Sequence, residues 1–299
     1  QAWCPSSPLY REMALDLTGR LAGRYHDHPA LAMWHVSNEY ACHNLPCYCD
    51  TCAVGFRTWL GRRYTTLEAL NDAWGTAFWS QRYTAWDDIL PPRLTTSFGN
   101  PTHVLDYARF GSDTLLDFYL AEHEVIRRHS PDVPVTTNFM TLNHFRLLDY
   151  HDWAPHLDVV STDHYVVDAL DHPHAELSFS GDLTRGLAGG GPWMLMEHST
   201  SAVNWQPVNK AKLPGHTMLD SLTHVARGAD EIFIAEVIAA QAPLGVEYTL
   251  VNARIARDQS IDSAKKHLRE SLATILASED ALEGVRSFME RRPANFSGK

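Results

Sequence analysis

The sequence has no apolar run of the roughly 18 residues that a membrane-spanning helix needs, so no membrane contact is expected. It has no basic excess: 25 Lys and Arg stand against 36 Asp and Glu, a formal net charge of -11. A broad electrostatic footprint for nucleic acid is therefore not expected. Neither G-x-G-x-x-G nor a Walker A loop occurs, which removes two strong signatures of nucleotide binding. The first residues, QAWCPSSPLYREM, lack the basic and apolar stretches of a signal peptide and lack an initiator Met. The expectation is a cytoplasmic chain that starts inside a longer polypeptide. Beyond residue 230 there is no Trp, no Cys and a single His. That loss, with a shift from 16 basic and 26 acidic residues before the break to 9 and 10 after it, predicts a boundary near Asp230, separating 1–230 from 231–299.

What is present is an alternation. PLYREMALDLTGRLAGRY (8–25) carries Leu9, Met13, Leu17 and Leu21 at helical spacing. LAMWHVSNE (31–39) is an apolar run with a polar end, which predicts a buried strand. Helices are predicted over 50–64, over 66–74 with Thr65 and Thr66 as candidate caps, over about 102–129, and over about 215–227. Further strands are predicted over 132–139, 157–165 and 191–199. Strands alternating with helices imply βα units and a parallel sheet. Every predicted strand ends in polar groups: Asn38-Glu39, Asn138, Asp163-His164-Tyr165 and Glu197-His198. In a (β/α) barrel the C-terminal strand ends build the active site, and this pattern favours a barrel over an open doubly wound sheet.

Glu39 and Glu197 each close an apolar strand, where a carboxylate is costly unless it faces a cleft. Paired carboxylates suit glycoside hydrolysis, which in its retaining form places a general acid/base and a nucleophile about 5 Å apart. Asn38 beside Glu39 is suited to a sugar 2-hydroxyl, and Trp79 and Trp205 offer flat faces for a pyranose. A salt-bridged structural role is the competing reading for either glutamate taken alone.

The stretches CPSSPLYR, WHVSNEYACH, CYCDTCAVGFRTWL, LNDAWGTAFWSQRYTAWDDILPP and WMLMEHSTSAVNWQPVN resemble the catalytic barrel of family 42 glycoside hydrolases, the β-galactosidases. The resemblance implies an α/β chain holding part of a (β/α)8 TIM barrel, about strands four to seven, followed by an α-helical tail. It implies that Asn38-Glu39 is the acid/base motif, that Glu197 is the nucleophile, and that Trp205, Trp79 and Tyr165 contact substrate. A terminal β-D-galactoside is then the substrate, no organic cofactor is needed, and association into homo-oligomers is left open.

Cys47-x-Cys49-x-x-Cys52 suits tetrahedral zinc, with Cys4 as the natural fourth ligand. The resemblance supports this, since many family members bind zinc through one early cysteine and a C-x-C-x-x-C after the acid/base. Four thiolates make a closed, structural site; reduced thiols or a disulfide are the alternatives. Cys42 is left over, and His43 is a further candidate ligand. A zinc deaminase would need H-x-E and P-C-x-x-C, but here His35 and Glu39 are four apart and Asp50 falls where the second cysteine belongs. The ending ASEDALEGVRSFMERRPANFSGK resembles the C-terminal region of crotonases, with no crotonase core upstream. Two other functions therefore compete with hydrolysis: an inactive zinc-stabilised carbohydrate-binding fragment, and a CoA-binding or assembly module built on the tail.

Overall fold

The computed structural model describes residues 3–94, 98–142, 147–167, 172–199 and 215–232, with 203, 206, 208 and 210–213 between them. In the tail it describes 251, 254, 255, 259, 263, 266, 267, 270, 271, 274, 275, 277–290, 292 and 295–298. The chain divides into two compact units, residues 1–159 and 160–299.

The first unit opens with α1 (Pro8–Tyr25), started by Ser7, whose Oγ accepts from Tyr10 N at 3.3 Å, and by Pro8, whose missing N–H costs nothing there. After β1 (Trp34–His35) comes α2 (Asp50–Tyr64), capped by Cys49. Then follows α3 (Leu67–Trp74), capped by Thr66 and closed by Gly75 at φ 62°. The long α4 (Pro101–His129) starts at Asn100, whose Oδ1 accepts from Thr102 N and His103 N, and ends in Arg127, Arg128 and His129 beside its negative pole. β2 (Val135–Thr136) pairs in parallel with β1, Trp34 opposite Val135 and His35 opposite Thr136. β3 (Asn138–Phe139) and the short α5 (Tyr150–Trp153) follow.

Phe56, Leu60, Leu70, Trp74, Ile89, Tyr107 and Phe110 form a core with Cys47 and Cys52. Beneath α3, the buried Asp106 carboxylate accepts from Trp74 Nε1 and Tyr64 Oη and pairs with Arg109 at 3.0 Å. Its charge is buried but hydrogen-bonded, the condition under which a buried carboxylate is tolerated.

The second unit has β4 (Ser161–His164), α6 (Pro173–Leu187), β5 (Trp193–His198), α7 (His216–Ala226), β6 (Ala229–Ile232) and, in the tail, α8 (Glu279–Glu290). β4, β5 and β6 are consecutive parallel neighbours. The helices predicted from sequence are present within a residue or so of their expected ends. The strands are shorter: 31–39 contracts to β1, which cannot continue past Ser37 and Glu39 because both take positive φ and leave the extended region. The run 132–139 breaks at Thr137 into β2 and β3. β6 spans the compositional break near Asp230, where no strand is predicted. Among the described residues no helix is long and apolar enough to cross a membrane.

Candidate active site and cysteine cluster

The Glu39 half lies where β1 gives out. The chain turns sharply there, with φ of 51° at Ser37 and 47° at Glu39, an uncommon conformation for residues with a side chain. Such backbone persists only where its surroundings over-determine it, and it clusters at functional sites. The surroundings here are specific. Asn138, 2% exposed on β3, accepts through Oδ1 from Glu39 N at 2.9 Å and from His35 Nε2 at 2.9 Å. Its Nδ2 donates to Asn38 Oδ1 at 3.1 Å. One amide therefore fixes both members of the Asn-Glu pair. On the other side, Tyr40 Oη donates to Glu122 Oε2 at 2.6 Å, and Thr18 Oγ1 donates to Glu122 Oε1 at 3.1 Å. Burial holds the Glu122 carboxyl above its usual range, and the same burial pushes the Tyr40 phenol well up. Asn138, Tyr40 and Glu122 hold the Glu39 turn through contacts between distant segments. Asn138→Ala is expected to cost about 10- to 100-fold in kcat and, because Glu39 N and His35 Nε2 lose their acceptor, to lower the thermal midpoint by several degrees, measured by steady-state kinetics and thermal denaturation.

The loop after Glu39 leads into the cysteines. Cys4 Sγ lies 3.4 Å from Cys49 Sγ and 3.5 Å from Cys52 Sγ, and all four sulphurs of Cys4, Cys47, Cys49 and Cys52 fall within 4.8 Å of one another. A disulfide needs about 2.05 Å, whereas tetrahedral Zn–S bonds of about 2.3 Å put sulphurs about 3.8 Å apart. The spacing fits a metal, and the cluster is able to hold one. Burial raises the Cys4 thiol to about 11, with the Cys49 hydrogen bond adding to it, and burial also raises Cys52. At Cys49 burial is outweighed by hydrogen bonds from Cys52 N–H and the neighbouring thiols, which bring it down to about 7. Cys42 and His43 are not part of this group.

The Glu197 half lies on β5. Glu197 is half-buried near the strand's C-terminal end, and Tyr165 Oη donates to its Oε2. The β4–β5 register sets the buried Asp163 opposite Glu197, past an irregularity at Thr162/Asp163. His198 Nδ1 donates to His164 O at 2.7 Å, tying the two strand ends together. Lys212 Nζ donates to Ser199 O at 2.7 Å and to Asp220 Oδ2 at 2.8 Å, tying the residue after β5 to α7. Trp205 lies outside the described residues, as does the side chain of Trp79.

His164, at the end of β4, and His224, on α7, are both buried, with ring centroids 5.6 Å apart. Burial lowers His164 from 6.5 to about 3, and lowers His224 well below 6.5, with the neighbouring His198 and Lys212 adding to both. The unfolded chain thus takes up these protons near 6.5 and the folded chain does not. Stability from this source is complete above about pH 6.5 and falls as pH drops toward 3, by about 1.4 kcal/mol per pH unit for each histidine. His224→Phe is expected to reduce that loss by about half between pH 6.5 and 4.5, read from denaturant midpoints. An unchanged slope would place the protons elsewhere.

The family model described as Beta-galactosidase, glycoside hydrolase family 42, matches residues 1–259. This chain belongs to glycoside hydrolase family 42. The β-galactosidase of an Arthrobacter species is 54% identical over 230 residues, 77% of this chain and 33% of that protein. That of Geobacillus kaustophilus is 47% identical over 234 residues, 78% of this chain and 34% of that protein. The crystal structure of the β-galactosidase from Bacillus circulans sp. alkalophilus matches with TM-score 0.72 and 45% identity over 78% of this chain and 34% of the other. A catalytic mutant of Gan42B, a family 42 β-galactosidase from G. stearothermophilus, matches with TM-score 0.72 and 41% identity over 78% and 35%. The family 42 chain described here spans about a third of the length of the curated relatives it matches. Its parallel βα arrangement is part of the family's (β/α)8 barrel.

Proposed function

We propose that this chain supplies the acid/base and the nucleophile of a retaining hydrolase for terminal β-D-galactosides. The observation that carries the reading is the Glu197 carboxylate at the C-terminal end of a parallel strand, accepting the Tyr165 hydroxyl, in a chain of this family. The named relatives are β-galactosidases, which supports the choice of sugar. Glu197 attacks the anomeric carbon as the bond to the leaving oxygen breaks, and Glu39 protonates that oxygen. Glu39 then takes a proton from water, which displaces Glu197 and releases galactose with its configuration retained. The Tyr165 hydrogen bond orients the nucleophile. Asn38 is assigned to the 2-hydroxyl, and Trp79 and Trp205 to stacking on the sugar.

Cys4, Cys47, Cys49 and Cys52 are assigned to a structural zinc, which as a closed tetrathiolate leaves no position for substrate. The sulphurs pin the segment leaving Glu39 to the start of α2 and to the residues ahead of α1. We assign residues 1–230 to the glycosidase part and 231–299 to a helical tail, and place the protein in the cytoplasm without membrane or nucleic-acid partners. In the tail, Arg292 pairs with Glu283 at 2.6 Å, and Asp280 accepts from Ser297 N at 2.6 Å and Gly298 N at 2.9 Å, so Ser297 and Gly298 lie against α8. An assembly role for this ending is the alternative that its resemblance to crotonases suggests.

The test is hydrolysis of a nitrophenyl β-D-galactoside followed by proton NMR of the sugar first released. The β anomer is expected first; the α anomer first would overturn the mechanism. Galactose binding without turnover would instead favour a carbohydrate-binding fragment.

A further inference from the structure

Successive residues of a strand point to opposite faces, so His198 leaves β5 on the face away from Glu197. Its side chain is fully buried there, out of reach of a sugar bound at Glu197. The groups around the ring are polar and specific. Nδ1 donates to His164 O at 2.7 Å. A carbonyl accepts and never donates, so Nδ1 carries a proton whatever the charge of the ring. Nε2 lies 3.8 Å from Asp220 Oδ2, an oxygen that also accepts from Lys212 Nζ at 2.8 Å. The His224 ring meets the His198 ring edge to face, with centroids 5.7 Å apart. Asp220 and His224 stand four residues apart on α7, so one face of that helix presents both. The Lys212 side chain is 3% exposed and that of Asp220 is 15% exposed. Desolvation offsets most of what such a buried pair gains, so it is a poor source of stability. What it supplies here is a fixed setting for one imidazole.

The bond from His198 to His164 joins residues that face each other across the β4–β5 pair. Tyr165 follows His164, Glu197 precedes His198, and the Tyr165 hydroxyl donates to the Glu197 carboxylate. Two cross-strand hydrogen bonds, one on each face, therefore set how the two strand ends lie. Among the described residues β6 pairs with β5 only as far as Leu195, so the end that carries Glu197 is held from the β4 side.

We infer that His198 is a positioning residue for the nucleophile: its Nδ1–H bond to the His164 carbonyl holds the end of β4, and with it Tyr165, where the Tyr165 hydroxyl meets Glu197. The Lys212–Asp220 pair and His224 keep the ring in that orientation. The inference rests on the reading of Glu197 as the nucleophile, and its spectroscopic readout needs no turnover.

The experiment places 3-fluorotyrosine at position 165 of the full chain, where fluorine NMR reports the hydrogen bond of the hydroxyl. Galactoside kinetics and thermal midpoints are measured beside it. His198→Phe keeps a ring and removes the donor. His198→Asn can set an amide N–H where Nδ1 stands, whereas His198→Gln sets one where Nε2 stands. Glu197→Ala, which removes the acceptor, gives the reference resonance. The Phe and Gln variants are expected to move the Tyr165 resonance toward that reference and to lower kcat about 10- to 100-fold with KM little changed. The Asn variant is expected to keep the resonance and to recover kcat to within a few-fold of the unmodified chain. Asn and Gln should have similar thermal midpoints, so lost stability does not produce the contrast between them. A resonance unmoved in the Phe and Gln variants, or Asn and Gln variants alike in resonance or in kcat, would overturn the inference. The expected resonances in a chain that does not turn over would uphold the positioning of Glu197 and count against the hydrolase reading alone.

Discussion

Glu197→Gln is expected to lower turnover of an activated β-galactoside by roughly 10^4- to 10^6-fold, the scale of losing a catalytic nucleophile, while KM for the sugar changes little. The amide keeps the shape of the side chain and can still accept from Tyr165, so the loss is chemical rather than architectural. The stereochemistry of rescue separates the two glutamates. With Glu197→Ala, azide enters the vacated position, attacks from the face the carboxylate used, and yields the α-galactosyl azide. With Glu39→Ala the glycosyl-enzyme still forms from a substrate with a good leaving group. Azide then attacks from the opposite face and yields the β-galactosyl azide. The opposite pairing of products would exchange the two roles.

The second large effect is on stability. The purified chain is expected to hold one zinc ion, and Cys52→Ser or removal of the metal by a strong chelator is expected to cost several kcal/mol, lowering the thermal midpoint by roughly 10 °C or more. The size follows from what the four sulphurs connect. Cys4 lies ahead of α1, Cys47 follows the Glu39 turn, Cys49 caps α2, and Cys52 sits in its first turn and packs in the core. Without the ion, several thiols are left in a largely apolar cluster, and the segment after Glu39 loses its anchor. Activity should therefore fall with stability. A metal-free chain with an unchanged midpoint would show that packing alone holds the loop.

Much of this was legible because helix limits are written in short local signals. Ser7-Pro8, Thr66 and Asn100-Pro101 start α1, α3 and α4, and Gly75 ends α3, each through a hydrogen bond or a dihedral preference that the residue itself carries. The two candidate glutamates were legible for a related reason: a carboxylate closing an apolar run has few structural explanations. What escaped depends on distant partners. α6 went unpredicted because, beyond Leu177, the residues it buries are the small Ser180, Gly181 and Thr184, leaving no strong helical period. A side chain at Gly181 would meet Arg227 Cβ at 2.9 Å, so its smallness is a packing requirement invisible in the string. β6 reads ADEI, with two acidic residues in four, and exists through its parallel pairing with β5. The role of Asn138 required a strand to bring it beside residues about 100 positions earlier. The left-handed turns at Ser37 and Glu39 are announced by neither residue type.

The account stands most directly on the identity of the nucleophile. Incubation with a 2-deoxy-2-fluoro-β-galactosyl fluoride slows the second displacement more than the first and should accumulate the glycosyl-enzyme. Intact-mass measurement and peptide sequencing should then find one sugar per chain, esterified to Glu197. A label on Glu39, on Asp163 or on any other carboxylate, or no label at all, would contradict it.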